Sequence, residues 1–297
     1  MNSSIIIGAD IGGSHITTGM VDISKRIIVD DFCLRKSVNS AASASEIIKV
    51  WCMTMEELCN KAGFKPQKLG IAMPGPCNYE TGVVWIKGLN KYESLYGLSI
   101  KELIAKELDL DPQNIHMKND APCFLQGEVL GGAAIGYSSV IGITLGTGFG
   151  TANYANHVAN DAELWQMPFK ESIAEYYFST NWFIKRYYEL TGNMALDVKQ
   201  LADAAAGSKL IQNMFAEFGY NLGLFLEEVL SSNKSQALIC GGNISNAFDL
   251  FAPSLQKQLS SKGIAIDVKR SALGEKSALI GAASGWQAHK LINTKTI

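Results

Sequence analysis

No stretch of this chain approaches the roughly 20 consecutive apolar residues that a membrane-spanning helix needs; its apolar runs are strand-length and end at glycine or charge. Dense runs of Lys or Arg are missing too. With 26 basic against 28 acidic residues the net charge is −2, so the electrostatic footprint of a nucleic-acid binder is absent. The six cysteines (Cys33, Cys52, Cys59, Cys77, Cys123, Cys240) include no C-x-x-C pair and lie mostly in apolar or helical runs, which argues for buried reduced thiols over disulfides or a metal site. The four histidines (His15, His116, His157, His289) are scattered, without H-E-x-x-H or any Cys/His zinc spacing. A Walker ending, Gly-Lys-Ser/Thr, does not occur. The first predicted strand begins at Ile5, leaving no room ahead of it for a cationic, apolar signal segment. A cytoplasmic enzyme fits these exclusions.

What the chain does have is 47% apolar residues over 297 positions, enough to bury a full core in one large or two medium domains. Within it one design occurs twice: a short apolar run, a glycine-rich turn, and a second short run rich in Thr. Ile5 to Thr18 reads IIIGADIGGSHITT, and Ser139 to Asn153 reads SVIGITLGTGFGTAN. Gly8 and Gly142 each precede the first turn glycine, Gly12 or Gly146, by the same step. A hairpin turn without bulky Cβ groups leaves backbone N–H groups close together, a concavity that suits phosphate oxygens. The two turns therefore predict a phosphate chain gripped from two sides. Aligned by their glycines, Asp10 of the first meets Thr144 of the second, so only the first brings an acid suited to a metal.

Periodicity predicts strands over 5–9, 15–22 and 27–32, a helix over 45–62 closed by Gly63, and a strand over 68–73 running into Pro74-Gly75-Pro76. Ser99 and Glu102 form a capping box that opens a helix to about Leu108. A short strand over 115–118 and a helix over 121–130 follow, and the second strand-turn-strand begins at Ser139. Helices are predicted over 170–178, 180–190, 196–206, 210–230, 247–259 and 276–291, with strands over 236–240 and 264–269. This order implies two α/β halves of related design. No linker separates them, so the boundary is placed near Lys118: one domain over 1–118, completed by the C-terminal helix from about 276, and a second over 119–275. Domains so tightly joined usually meet at a cleft.

Asp10-x-Gly12-Gly13-Ser14 sets a carboxylate at a strand end before a phosphate-sized turn. It would repel phosphate unless a divalent cation intervenes, which implies Mg²⁺, directly or through water. The alternative is an ordinary Gly-rich hairpin with Asp as a turn residue. Gly146-Thr147-Gly148-Phe149-Gly150 is followed by Thr151-Ala152-Asn153-Tyr154 rather than a helix, which argues against a dinucleotide fingerprint. Asn119-Asp120, between strand and helix, either caps the helix or supplies a base for an attacking hydroxyl with Asn orienting the alcohol. Glu163 and Glu175 frame a polar-to-aromatic segment, and most glutamates are solvated surface charges. Cys240-Gly241-Gly242-Asn243 ends a buried strand, either admitting a flat ligand such as adenine or making a tight turn.

Taken in order, Ile7 to Ser14, Gly70 to Pro76, Leu89-Asn90, Asn119-Asp120-Ala121, Gly127-Glu128, Leu145 to Gly148 and Gly241-Gly242-Asn243 resemble the blocks of the ROK family (repressor, open reading frame, kinase), over nearly the whole chain. The resemblance implies two actin-like, ribonuclease H-like α/β domains with a nucleotide and sugar cleft between them. It further implies transfer of the γ-phosphoryl group of MgATP to a hexose or N-acylhexosamine, commonly at the 6-hydroxyl. Asp120 would be the base; Asn90, Asn119, Asp120, Glu163, Gln166 and Glu175 would bind sugar. Asp10, Gly12, Gly13, Ser14, His15, Gly146, Thr147 and Gly148 would hold the ATP phosphates, with Asp10 on the magnesium side. Gly241, Gly242 and Asn243 would line the adenosine pocket. A homodimer is expected, with sugar and ATP as small-molecule partners and neither nucleic acid nor membrane.

The departures are specific. Many relatives carry Glu-x-Gly-His, a zinc loop with three cysteines, then Glu-Ala-Tyr. Here Glu163-Leu164-Trp165-Gln166 puts Gln166 where that His would stand, and no Cys lies between Gln166 and Glu175-Tyr176-Tyr177, so no structural zinc is expected. Sugar-responsive repressors of the family carry an N-terminal winged helix-turn-helix, whereas this chain starts at the first phosphate strand. A non-catalytic sugar-binding or regulatory protein is the alternative, to which Asp10 and Asp120 together are the counterargument.

Overall fold

The computed structural model describes residues 4–88, 91–232 and 234–293. It divides into two compact units, Met1–Gly131 with Glu275–Ile297, and Gly132–Gly274. In the first unit the apolar run of β1 (Ile5–Ile11) turns back through Gly12 to Ser14 into β2 (His15–Asp22) and then β3 (Ile27–Ser37). Helix α1 (Ala44–Ala62) is closed at both ends by sequence-local devices: Ser43 and Glu46 exchange a capping box, and Gly63 adopts the left-handed conformation at φ 72°. Its buried stripe, Ile47, Ile48, Trp51, Cys52, Met55, Leu58 and Cys59, packs into the core of this unit. Strand β4 (Leu69–Ala72), the small hairpin β5 (Cys77–Asn78) and β6 (Val83–Val84), helix α2 (Ile100–Leu108), β7 (Ile115–Lys118) and α3 (Asp120–Gly131) follow. The sheet order is β3-β2-β1-β4-β7, antiparallel through the meander and parallel beyond β1.

The second unit repeats that plan. Strands β8 (Val140–Leu145), β9 (Phe149–Ala155) and β10 (Val158–Asp161) form its meander. A short hairpin, β11 (Pro168–Phe169) and β12 (Ser172–Ile173), precedes α4 (Ala174–Tyr177), α5 (Thr180–Thr191), α6 (Val198–Ala204) and α7 (Lys209–Ser232). Then come β13 (Ala237–Gly241), α8 (Phe248–Ser261) and β14 (Asp267–Arg270), giving the order β10-β9-β8-β13-β14. The last helix, α9 (Lys276–Asn293), belongs to the first unit.

Besides the longer β3, two expectations change. The helix predicted over 170–178 is a hairpin followed by a single turn of helix, because Lys170 takes φ 51° and reverses the chain. The reversal folds Phe169 back into a cluster with Tyr177, Phe178 and Phe225. The first unit also runs past Lys118 to Gly131, taking in α3. The reason is close helix packing: a Cβ on Gly127 would lie 2.0 Å from the Ser277 carbonyl oxygen, and one on Gly281 only 1.8 Å from that of Cys123. Gly8 and Gly70 let α9 approach the sheet in the same way, their would-be Cβ atoms 2.5 Å and 2.3 Å from the carbonyls of Leu279 and Ala282. None of the six cysteines forms a disulfide, and burial pushes the thiols of Cys52 and Cys240 up to about 12. Among the described residues no helix is long and apolar enough to cross a membrane.

Candidate active site

In the first unit, ladder register builds the site. Asp10 of β1 pairs with Thr17 of β2, Thr17 with Arg35 of β3, and on the other side Asp10 with Ala72 of β4. Directly opposed residues share a face, and Asp10 has the same parity as Gly8, so this row faces α9. Arg35 pairs with Glu275, just ahead of α9. The turn at the end of β1 is tight: the Gly12 N–H donates to the His15 carbonyl at 2.9 Å, and the His15 ring covers Gly12 so closely that a Cβ there would sit 2.7 Å from it. Gly13 and Ser14 form the exposed tip. From below, the buried Tyr92 donates its hydroxyl to the Gly12 carbonyl at 2.6 Å, and its ring stands edge-on to Trp51.

Burial pushes the Asp10 carboxyl up to about 7, the negative charges of Asp120 and Glu275 add to the shift, and Arg35 opposes it. Burial likewise lowers the affinity of His15 for its proton, with Arg35 acting in the same direction. Asn119 and Asp120 stand where β7 gives way to α3. The Asn119 amide is fixed at both ends: its Oδ1 accepts the Ala121 N–H at 2.9 Å, and its Nδ2 donates to the Tyr79 hydroxyl at 3.1 Å, which in turn donates to the Met73 carbonyl at 3.1 Å. Asn119 is thus the helix cap, and the same bonds hold its remaining N–H and lone pair in a set direction. Asp120 is half-buried beside it.

The second unit gathers its own set. The turn after β8 is closed by the Gly146 N–H donating to the Gly148 carbonyl at 3.1 Å, and the Gly146 carbonyl accepts from both the N–H and the hydroxyl of Thr180, at 2.8 Å and 3.0 Å. Glu175, in α4, is brought against this turn: its Oε2 accepts the Phe149 N–H at 3.1 Å, and a Cβ on Gly148 would lie 2.7 Å from that oxygen. Glu163 precedes and Gln166 ends a short 3₁₀ turn that packs on α4, with Glu163 exposed at φ 51° and the Leu164 N–H donating to the Thr151 hydroxyl at 3.0 Å. Positive φ in a non-glycine residue costs conformational energy that packing must offset. Gly242 and Asn243 are exposed at the end of β13, next in the sheet to β8; Gly242 holds φ 80°, and a Cβ there would fall 2.4 Å from the Leu145 carbonyl.

The first unit therefore collects Asp10, Gly12, Gly13, Ser14, His15, Asn119 and Asp120. The second collects Gly146, Thr147, Gly148, Glu175, Glu163, Gln166, Gly241, Gly242 and Asn243. Asn90 lies outside the described residues. Tyr79, Tyr92, Arg35, Glu275 and Thr151, which hold these groups in place, carry no sequence motif; their signal is only in the fold.

Magnesium fits the donor chemistry at Asp10. The carboxylate is a hard oxygen ligand, and the negative field that resists its ionisation is what a dication cancels. Among the described residues no three His, Cys, Asp or Glu side chains converge to hold a metal. Mg²⁺ commonly takes one or two carboxylates, with waters and substrate phosphate oxygens completing its shell.

Comparison with known proteins places this arrangement. The N-acetyl-D-glucosamine kinase of Mannheimia succiniciproducens is 21% identical over 314 residues, covering 94% of this chain and 98% of that protein. Further curated kinases align over about half of this chain, 44% of an N-acetyl-D-glucosamine kinase from Salmonella newport and 43% of the glucokinase of Thermotoga maritima. Among solved structures, a ROK family glucokinase from Streptomyces griseus in complex with glucose and AMPPNP superposes with a TM-score of 0.78 at 22% identity, over 94% of this chain and 98% of that one. A ROK family transcriptional regulator, a homolog of the E. coli MLC protein, superposes with a TM-score of 0.78 at 16% identity, over 96% of this chain and 78% of that one. The two units are thus a pair of actin-like α/β domains. The ROK family profile matches residues 6–160, just over half of the 297, and spans both glycine turns and the Asn119-Asp120 step: this chain belongs to the ROK family.

Proposed function

We propose that this chain transfers the γ-phosphoryl group of MgATP to a hydroxyl of a hexose or N-acylhexosamine, the 6-hydroxyl in the first instance, with Asp120 as the base. At the coarser level it is an ATP-dependent carbohydrate kinase of the ROK family. Because a transcriptional regulator shares the fold, the fold alone does not separate catalysis from regulation. The observation that carries the catalytic reading is the pairing, in one unit, of Asp120 with an Asn119 whose amide is locked by Tyr79 and Ala121.

Phosphoryl transfer asks the protein mostly for position and charge. Asn119 would hold the acceptor alcohol against Asp120, and Asp120 takes its proton as the oxygen attacks phosphorus. Gly13 and Ser14 at one turn, and Thr147 and Gly148 at the other, would donate N–H groups to phosphate oxygens. Glu175 keeps one oxygen on the Phe149 N–H and would offer the other to a sugar hydroxyl, with Glu163 and Gln166 beside it. Gly242 and Asn243 would border the adenosine. Asp10 would hold the magnesium ion, directly or through water, and the bound ion would supply neutralisation of the charge on the transferred group. The protein would work in the cytoplasm as a homodimer, the latter checked by light scattering.

Incubation of the chain with MgATP and a panel of hexoses and amino sugars, with ADP release as the readout, tests the reading. Sugar-dependent release is expected, falling about 10²–10⁴-fold in Asp120→Ala. No release on any sugar would sink it.

A further inference from the structure

Thr17 and Thr18 are neighbours on β2, each almost wholly buried (3% and 0% exposed), and among the described residues neither hydroxyl has a hydrogen-bond partner. A buried hydroxyl left without a partner costs about 1–3 kcal/mol, so each needs a reason. Successive residues of a strand face opposite sides of the sheet, and the two threonines differ accordingly. Thr18 pairs with Ala9, on the side away from Asp10. Thr17 pairs directly with Asp10 on one side and with Arg35 on the other. The Cβ atoms of such opposed residues lie about 5 Å apart. Thr17 nevertheless makes no hydrogen bond to the Asp10 carboxylate. Thr17 thus stands in a row between an acid and a cation, whose acid Asp10 feels the charge of Asp120 and whose cation Arg35 pairs with Glu275.

We infer that Thr17 is a positioning residue for the divalent cation at Asp10: its hydroxyl holds a water of the cation's hydration shell. This rests on the reading of Asp10 as the metal-side residue. A cation that keeps most of its waters is oriented through partners of those waters, and a neutral hydroxyl adds such a partner without adding to the negative field around Asp10. Thr18, alike in chemistry and burial but on the opposite face, is the internal control.

Binding of Mn²⁺ to the full chain in the presence of ADP, followed by the paramagnetic resonance signal of the free ion, reads the effect without turnover. Thr17→Val keeps the shape and removes the hydroxyl; it raises the Mn²⁺ dissociation constant about 10-fold or more, while Thr17→Ser stays within about twofold of wild type. Thr18→Val leaves Mn²⁺ affinity unchanged. Without metal, Thr17→Val melts at or above the wild-type temperature, since no native bond is lost. The inference is overturned if Thr17→Val binds Mn²⁺ as wild type does, if Thr17→Ser fails to restore affinity, if Thr18→Val weakens it equally, or if Thr17→Val lowers the melting temperature. Asp10→Asn separates the two layers of the argument. Should it leave Mn²⁺ binding intact, the metal-side reading of Asp10 fails; should it weaken binding while Thr17→Val does not, only the role of Thr17 falls.

Discussion

Asp10→Asn should make the metal-free protein more stable at alkaline pH while removing its activity. The Asp10 carboxyl is pushed from 3.8 up to about 7 by burial and by the charges of Asp120 and Glu275. Below about pH 4 the folded and unfolded chains both hold the proton. Between about pH 4 and 7 the unfolded chain releases it while the folded chain keeps it, so stability falls as pH rises; above 7 both are ionised and the whole cost stands. Each tenfold displacement of a proton equilibrium is worth about 1.4 kcal/mol, so a rise from 3.8 to about 7 sets that cost near 4 kcal/mol. Asp10 as a whole residue is only partly buried, which trims the figure. Asparagine keeps the shape and cannot ionise. The melting temperature of Asp10→Asn minus that of wild type, measured in EDTA from pH 5 to 8.5, should therefore widen with pH toward an upper value of about 8–16 °C, at 2–4 °C per kcal/mol for a unit of this size. Adding Mg²⁺ and ADP should stabilise wild type and narrow the gap, because the dication cancels the field. A gap that stays constant with pH, or a variant that melts below wild type at pH 8, would refute the reasoning.

Three further outcomes follow from single contacts. Gly281→Ala must separate α3 from α9, since its Cβ would meet the Cys123 carbonyl oxygen at 1.8 Å; a loss of about 1–3 kcal/mol in thermal or urea unfolding is expected, whereas Gly207→Ala, with nothing within 4 Å, should cost far less. Tyr92→Phe removes the 2.6 Å bond to the Gly12 carbonyl, about 1 kcal/mol, and should raise the KM for ATP several-fold in steady-state assays with little change in the KM for sugar. Glu175→Gln keeps an acceptor for the Phe149 N–H but removes the charge beside the Gly146-Thr147-Gly148 turn; the KM for sugar should rise at least about 10-fold while that for ATP stays level or falls, and the opposite pattern would move Glu175 from the sugar to the turn.

How far the sequence carried depended on how far apart the cooperating residues lie. The two meanders, their glycine turns and the Asn119-Asp120 step were legible because each is written in one contiguous run whose apolar period and turn chemistry agree. β3 continues past Phe32 because Arg35, Lys36 and Ser37 extend an edge strand in polar residues that the apolar pattern does not mark. The stretch 170–178 imitates a helix, and only the return of Phe169 to Phe225 shows why it turns instead. The sequence pattern puts the boundary before α3, since the glycine contacts that bind α3 to α9 join residues more than a hundred positions apart. In the site the same limit holds: Tyr92 meets Gly12 across 80 positions and Arg35 meets Glu275 across 240, so neither could be read beside the motif it supports. Glycine itself shows why a motif underdetermines its cause. Gly8 and Gly70 admit a helix, Gly12 admits the His15 ring, Gly148 admits a carboxylate, and Gly242 needs a positive φ as well as close approach. One missing Cβ serves all four, and only the atom that each absence leaves room for tells a phosphate turn from a packing contact.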